Sequence, residues 1–430
     1  MKLIAQQTTT LQGQATIPSS KSQSIRALLF ALLAKGESVI TNLLMSDDLQ
    51  DALQVCQSLG AEMTTDADQL TVCSQGLPLQ TDIQQLYTGN SGITTRFIMP
   101  LLGFRENTQA WIGVDCGEQM RARPIQSLIK ALIDLGLHID YAQKEGVLPI
   151  NIKGSLQGGE TQVDGITSQY LSALLIALPC APQNSIIHVK DLHERPYIET
   201  TLHWLKQQKI KYQHQCLNDM DIYYIQGKQT YQSFHATIGG DFSSASYLIA
   251  AASLIPGCVT LHGLDMQEPQ GDKRLVSILQ EMGADIVVGP HALVIRGGQP
   301  LKGVSIDAND IPDLLPTLAV IGTQAAGKTE IYNVEQARLK ETDRIHSMTQ
   351  GLLHLGARVE EQDDAMVVYQ SSLRGTQVDG YDDHRTVMAL SIAGLLAEGQ
   401  TVITDGHAIN KTFPSFIDKM QAIGANIANE

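Results

Sequence analysis

Six times along the chain a segment led by Ser, Thr, Asn or Asp opens an Ala/Leu-rich stretch that runs on into a β-branched strand. The openings fall at Lys21-Ser22, Asn90-Ser91, Thr167-Ser168, Asp241 with Ser243, Asp310 with Asp313, and Asp383 with Arg385. The strands expected after them include 38–41, 110–114, 185–189, 258–262, 328–333 and 400–404. In step with these, a polar-faced helix closes at Gly60, Gly136, Lys209, Gly283, Gly356 and Gly424. Successive closures lie 76, 73, 74, 73 and 68 residues apart, and only the third copy lacks its glycine. One unit, read as helix, strand, helix, strand, cannot bury its own apolar faces, whereas three can close around a core. Six copies therefore imply two domains of three.

The two helix types differ in pattern. The first is apolar nearly all round, as in 245–252, and is expected at the centre of its domain. The second alternates charged and apolar residues at helical spacing, as in 48–59 and 344–355, and is expected to cover the outside. With no Pro-rich or charged linker, the crossings between domains are expected at the turn before Lys21 and at Gly239-Gly240. The first strand, before Pro18, is assigned to the C-terminal half. One domain is then 20–239 and the other a discontinuous 1–19 plus 240–430.

At 430 residues the chain is long enough for two full cores. Its net charge of -15 argues against general nucleic-acid binding, which needs a basic face to displace counterions. Six cysteines without a CxxC pair suggest neither a zinc site nor a disulfide framework, and fit a reducing cytoplasm. The N-terminal residues lack the apolar core of a signal peptide, and the longest apolar run, 27–34, is too short to span a bilayer, so no membrane association is expected.

Helix starts offer free N–H groups and the positive end of a dipole, and so hold anions. A capping residue alone begins a helix anywhere. The cations beside these starts carry more weight: Lys21, Arg26, Arg123, Lys340, Arg344, Arg385 and Lys411 lie at or near the junctions. Lys21 stands at a helix start, where it opposes the dipole unless an anion binds, with the Ser22 hydroxyl beside it and Arg26 one turn later on the same face. If a helix begins near Arg338, Lys340 and Arg344 share a face and suit a phosphate and a carboxylate, with the acid Glu341 adjacent. The alternative there is a solvated charged helix.

These residues resemble the 5-enolpyruvylshikimate-3-phosphate synthase family along essentially the whole chain. The carriers are Ser20-Lys21-Ser22 with Arg26, Asn42-Leu43-Leu44, Ser46-Asp47-Asp48, Gly89-Asn90-Ser91-Gly92, Arg123-Pro124-Ile125, Ser168-Gln169, Pro196-Tyr197-Ile198, Gly240-Asp241 with Ser243, Ile311-Pro312-Asp313, Lys340-Glu341 with Arg344, Asp383-His384-Arg385, and Lys411-Thr412-Phe413-Pro414. The resemblance implies an α/β protein of two similar domains, each of three βαβαββ repeats in an inside-out barrel, with the active site in the interdomain cleft. It implies transfer of the enolpyruvyl group of phosphoenolpyruvate to the 5-hydroxyl of shikimate 3-phosphate, with release of phosphate through a tetrahedral intermediate. By likeness to the family's motifs, Lys21, Arg123 and Lys411 grip the phosphate of phosphoenolpyruvate, Arg344 and Arg385 pair with its carboxylate, and Asn90, Gly92 and Gln169 line the same pocket. Lys21, Ser22, Arg26, Thr167, Ser168, Gln169, Tyr197 and Lys340 hold shikimate 3-phosphate. Asp313 binds the shikimate hydroxyls and takes the proton from the attacking one, and Glu341, with Lys21, protonates the methylene carbon. No metal or organic cofactor is expected, the partners are the two small-molecule substrates, and the chain is expected to act as a cytoplasmic monomer.

Several positions depart from the family pattern. Glu194 stands where a Ser near the substrate phosphate is common, Gln336 stands for an Asn, and Thr167 for a Ser. A carboxylate at 194 repels the phosphate unless Arg195 pairs with it or the side chain turns away. Ile93 and Phe97 replace Thr and Pro, which is expected to weaken inhibition by glyphosate. His384 is expected to cap its helix or to tune Asp383 or Arg385. Two rival readings stand beside this one. The sister family acting on UDP-N-acetylglucosamine uses a loop Cys as an acid, but Cys116 reads as incidental: its spacing to Arg123 is wrong, Lys21 is followed by Ser instead of that family's Asn, and the 340–344 block belongs to the shikimate branch. A non-catalytic anion binder of the same fold is the other.

Overall fold

The computed structural model describes residues 1–66, 68–218 and 220–430. The chain divides into two compact units, an N-proximal one, Lys21–Ile238, and a C-proximal one, Met1–Ser20 with Gly239–Glu430. Among the described residues each holds three four-stranded sheets.

The sheets share one topology. In the C-proximal unit, strand Leu11–Thr16 runs parallel to Gly257–His262, with Leu11 opposite Gly257 and Thr16 opposite His262. Ala292–Gly297 lies antiparallel to Gly257–His262, and Asp285–Val288 forms a hairpin at the edge. The order along each such sheet is first, second, fourth, third strand, which is a βαβαββ unit. A parallel pair needs a crossover, and the Ala/Leu-rich helix supplies it. Among the described residues, one sheet of the N-proximal unit and two of the C-proximal unit are completed from a distant part of the chain, Leu11–Thr16 beside Gly257–His262 being one case. Leu3–Gln6 takes the fourth-strand place beside Gln400–Ile403, and His235–Thr237 takes the first-strand place beside Gly36–Thr41.

The crossover helices Lys21–Leu33, Gly92–Leu101, Ser168–Ala177, Phe242–Leu254, Leu315–Gln324 and His384–Leu396 are buried along almost their whole length. Apolar residues on every face leave such a helix no side for water. In the C-proximal unit the three pack on one another at the middle of the core. The second helices bury one stripe only. Asp47–Ser58 turns Leu49, Ala52, Val55 and Cys56 inward at helical spacing. Four crossover helices start on a side-chain cap, with Ser91, Thr167, Asp241 and Asp383 each accepting from an N–H of the first turn.

The closing glycines have a backbone reason. Gly60, Gly136, Gly283, Gly356 and Gly424 sit at φ 97, 106, 111, 86 and 91, a region that costs a side chain energy. Lys209 takes the same turn at φ 57. Strand Lys328–Tyr332 stops one residue short of expectation because Asn333 turns left-handed at φ 58. The 110–114 strand is Ile112–Asp115. No helix among the described residues is long and apolar enough to cross a membrane, and all six cysteines are free thiols.

Candidate active site

In the N-proximal unit the chemistry gathers at the start of Lys21–Leu33. Lys21 is the first residue of the helix, where the dipole disfavours a cation. Its Nζ is held 2.9 Å from Asp48 Oδ2, so a carboxylate from the next helix supplies the compensating anion. Arg26, 2% exposed, donates from Nε to Thr201 Oγ1 at 3.0 Å, from Nη1 to the Ser22 carbonyl at 3.1 Å and from Nη2 to the Tyr197 carbonyl at 3.3 Å. Its guanidinium lies 5.1 Å from the centre of the Phe97 ring. Burial pulls its pKa down to about 10, so it stays charged at neutral pH. Ser22, Arg26 and Tyr197 thus belong to one cluster.

A second cluster forms around Gly92. A Cβ there would stand 2.9 Å from the Nη1 atoms of Arg96 and Arg123 and 3.1 Å from Gln169 Oε1, so only glycine lets the three approach. Arg96 donates to Gln169 Oε1 at 2.6 Å and to the Pro124 carbonyl at 3.1 Å, and Tyr170 Oη donates to that carbonyl at 2.6 Å. Arg96 lies outside the residues that the family motifs single out. Its signal was a lone Arg in an otherwise uncharged helix. Asn90 packs against Gly117, whose missing Cβ makes room for the amide, and Asn90 Oδ1 is buried without a hydrogen-bond partner among the described residues. Thr167 caps Ser168–Ala177 by accepting from the Gln169 N–H. Ser168 gives both its N–H and its hydroxyl to Glu194 Oε2, at 3.0 and 2.7 Å. The Arg195 guanidinium is bidentate on Asp221, at 3.0 and 2.7 Å. The Glu194 carboxylate thus turns onto the start of Ser168–Ala177 and takes two Ser168 donors, while the Arg195 fork is on Asp221.

In the C-proximal unit the arrangement is built on Arg344. Residues 340–343 are not helical. A 3-10 turn, Glu335–Leu339, ends at Lys340, and the helix Arg344–His354 begins only at Arg344, capped by Asp343. The expected sharing of one helix face by Lys340 and Arg344 is therefore corrected, because Asp343 spends its carboxylate on the His346 N–H and ends any earlier turn. Asp313 likewise lies in the 3-10 turn Pro312–Leu314, ahead of Leu315–Gln324, instead of at a cap.

Arg344, 1% exposed, reaches three carboxylates. Its Nη1 is 2.7 Å from Asp313 Oδ1, its Nη2 2.5 Å from Glu341 Oε2 and its Nε 2.9 Å from Asp383 Oδ2. Arg385 Nη2 is 2.7 Å from the other Asp313 oxygen. Asp383 also caps its helix, accepting from the N–H of Arg385 at 2.7 Å and of Thr386 at 3.4 Å. The cap expected of His384 therefore belongs to Asp383, with His384 Nδ1 3.8 Å from it. Lys411 reaches the Asp382 carbonyl at 2.7 Å and its Oδ1 at 3.1 Å, one residue away from Asp383. Gln336 is buried and donates to the Asn309 carbonyl at 2.8 Å.

Burial opposes charge on Asp313, but Arg385, Lys340 and Arg344 outweigh it and hold the carboxyl well below the usual range. Asp272 shows the reverse: burial, with the Asp313 charge adding to it, pushes it up to about 7 while Ser243 donates to its Oδ2. Burial and Asp115 push the Cys116 thiol up to about 12, which leaves it neutral and unreactive. Carboxylates that share guanidiniums in this way can hold or pass protons once an arriving anion takes over the arginines.

The chain matches the family described as EPSP synthase (3-phosphoshikimate 1-carboxyvinyltransferase) over residues 5–420. It is 42% identical over 416 residues to a 3-phosphoshikimate 1-carboxyvinyltransferase of Acetivibrio thermocellus, covering 97% of each chain. It is 40% identical to one of Ruminiclostridium cellulolyticum, again over 97% of each. The fold is similar to that of an EPSP synthase from Acinetobacter baumannii, with a TM-score of 0.82 at 22% identity over 100% of this chain and 99% of that one. The chain belongs to the EPSP synthase family and is an enolpyruvyl transferase of the shikimate pathway.

Proposed function

We propose, with membership of this family as the premise, that residues of both units act together on shikimate 3-phosphate and phosphoenolpyruvate. The observation that carries the reading is the grip of one buried guanidinium, Arg344, on both Asp313 and Glu341, with Arg385 on Asp313 as well. Arg344 and Arg385 receive the carboxylate of phosphoenolpyruvate, while Lys21, Arg123 and Lys411 receive its phosphate beside Asn90, Gly92 and Gln169. Ser22, Arg26, Thr167, Ser168, Gln169, Tyr197 and Lys340 take the acceptor. As the arginines turn to the incoming carboxylate, Asp313 loses the partners that depress its pKa and becomes a usable base.

Asp313 then takes the proton of the 5-hydroxyl as that oxygen adds to C2, and Glu341, with Lys21, delivers a proton to the methylene carbon. In the second half the C2–O bond to phosphate breaks, the new methyl group gives back a proton, and the basic side chains stabilise the departing anion. The same reading takes 20–239 and 1–19 plus 240–430 as domains and the enzyme as a cytoplasmic monomer, the free thiols being at home in a reducing compartment. It also takes Phe97, whose ring lies by Arg26, together with Ile93, as weakening glyphosate inhibition. An inhibition constant equal to that of relatives with Thr and Pro would reject that part. Phosphate release with both substrates tests the whole: turnover requiring shikimate 3-phosphate is expected, and turnover with UDP-N-acetylglucosamine instead, or none, overturns it. Burial raises the Cys116 thiol to about 12, too weak an acid to serve as the proton donor of the UDP-sugar branch.

A further inference from the structure

The buried carboxylate of Glu194 is used by no step above. It is 1% exposed, precedes helix Arg195–Gln207 and sits at φ 56, a conformation that costs a non-glycine residue free energy. Burying a carboxylate costs more again unless it is well bonded. Two charge-assisted hydrogen bonds at the start of Ser168–Ala177 offset these costs, from the Ser168 N–H at 3.0 Å and the Ser168 hydroxyl at 2.7 Å. Arg195 follows directly but gives its fork to Asp221, so that carboxylate anchors the far side of the turn.

We infer that Glu194 is a specificity-determining residue that competes with the acceptor's phosphate for the Ser168 donors. The inference rests on the proposed function, which gives Ser168 to the phosphorylated acceptor, and on the place of Glu194, where a Ser near the substrate phosphate is common in the family. The carboxylate presents an anionic oxygen where a phosphate oxygen would sit, so phosphate binding requires Glu194 to swing out, or to share Ser168 against a like charge. Either way, the residue lowers the preference for a phosphorylated acceptor over the same ring without phosphate.

The test measures affinities of the full chain for shikimate 3-phosphate, unphosphorylated shikimate and inorganic phosphate by calorimetry, for the protein as it stands and for Glu194→Ser and Glu194→Gln. Removing one like charge from the edge of a phosphate site is expected to tighten shikimate 3-phosphate about tenfold in Glu194→Ser. Glu194→Gln, which keeps the shape and an acceptor oxygen but not the charge, is expected to tighten it about threefold. Shikimate affinity is expected to hold in both, and inorganic phosphate to follow the phosphorylated ligand. A purely structural Glu194 would weaken all three ligands together and lower the melting temperature. Unchanged or weakened binding of phosphate and shikimate 3-phosphate in both variants overturns the inference. Failure of the proposed function is read separately, as absent turnover in the unsubstituted protein, while the inorganic phosphate arm still decides the role of Glu194.

Discussion

Arg26 in the N-proximal unit and Arg344 in the C-proximal unit are both almost wholly buried, yet one rests on a hydroxyl, two carbonyls and an aromatic ring and the other on three carboxylates. The consequences run in opposite directions. Burial lowers the pKa of Arg26, whereas at Arg344 the same penalty is outweighed by Asp383, Glu341 and Asp313, which raise it. The N-proximal cluster keeps a cation with neutral partners and so favours an anion. The C-proximal cluster spends its cations on acids, which under the proposed function are the proton-transfer groups that an incoming carboxylate would release.

The contrast breaks first at catalysis. Glu341→Gln and Asp313→Asn are each expected to lower kcat by about 10²–10⁴, the span of lost general acid–base catalysis, in a phosphate-release assay. A loss under threefold in either would leave the acids as structural partners of Arg344. Stability comes next. Arg344→Met takes a cationic partner from three buried or half-buried carboxylates and is expected to cost about 3–5 kcal/mol in urea unfolding, while Arg26→Met leaves only neutral partners and is expected to cost about 1–3 kcal/mol. Equal losses would erase the difference between the two sites.

Acidity sharpens the comparison within the C-proximal unit. Asp272, raised to about 7 in the folded protein against about 3.9 unfolded, binds its proton more tightly when folded, so stability falls as pH rises between those values. Asp313 is depressed, so its contribution is present above about 3.9 and is lost as pH falls below it. Asp272→Asn is therefore expected to gain up to about 4 kcal/mol at pH 8 and to converge on the parent protein near pH 4, read from melting curves across that range. A constant difference at all pH values would assign the effect to packing. The smallest effect compares the third repeat with the other five: Lys209→Gly, relieving φ 57, is expected to stabilise by about 0.5–1 kcal/mol, and a destabilisation would show that the lysine side chain holds the turn.

What could be read from the sequence was local. Ser91, Thr167, Asp241 and Asp383 announce helix starts because each offers a short side-chain acceptor ahead of an apolar run, and five closing glycines announce a left-handed turn. The lone Lys21 pointed to an anion, and Asp48 of the following helix lies there. What stayed hidden depends on distance along the chain. The pairing of Arg344 with Asp383 spans 39 positions and that of Ser168 with Glu194 spans 26, and no periodicity encodes either. The stretch 340–343 reads as helical by its charges, but the cap at Asp343 ends that option through a single hydrogen bond. The partner of Arg96, Gln169, sits in another repeat, so no local pattern marks that arginine.

The central claim is that cations of both units serve one pair of substrates. Calorimetric binding of phosphoenolpyruvate in the presence of shikimate 3-phosphate, to Arg123→Ala and to Arg385→Ala, tests it most directly. The expected result is that each substitution alone weakens phosphoenolpyruvate by about a hundredfold or more, since both act on the same anion. Unaltered affinity in either one, with the fold intact, would contradict the account.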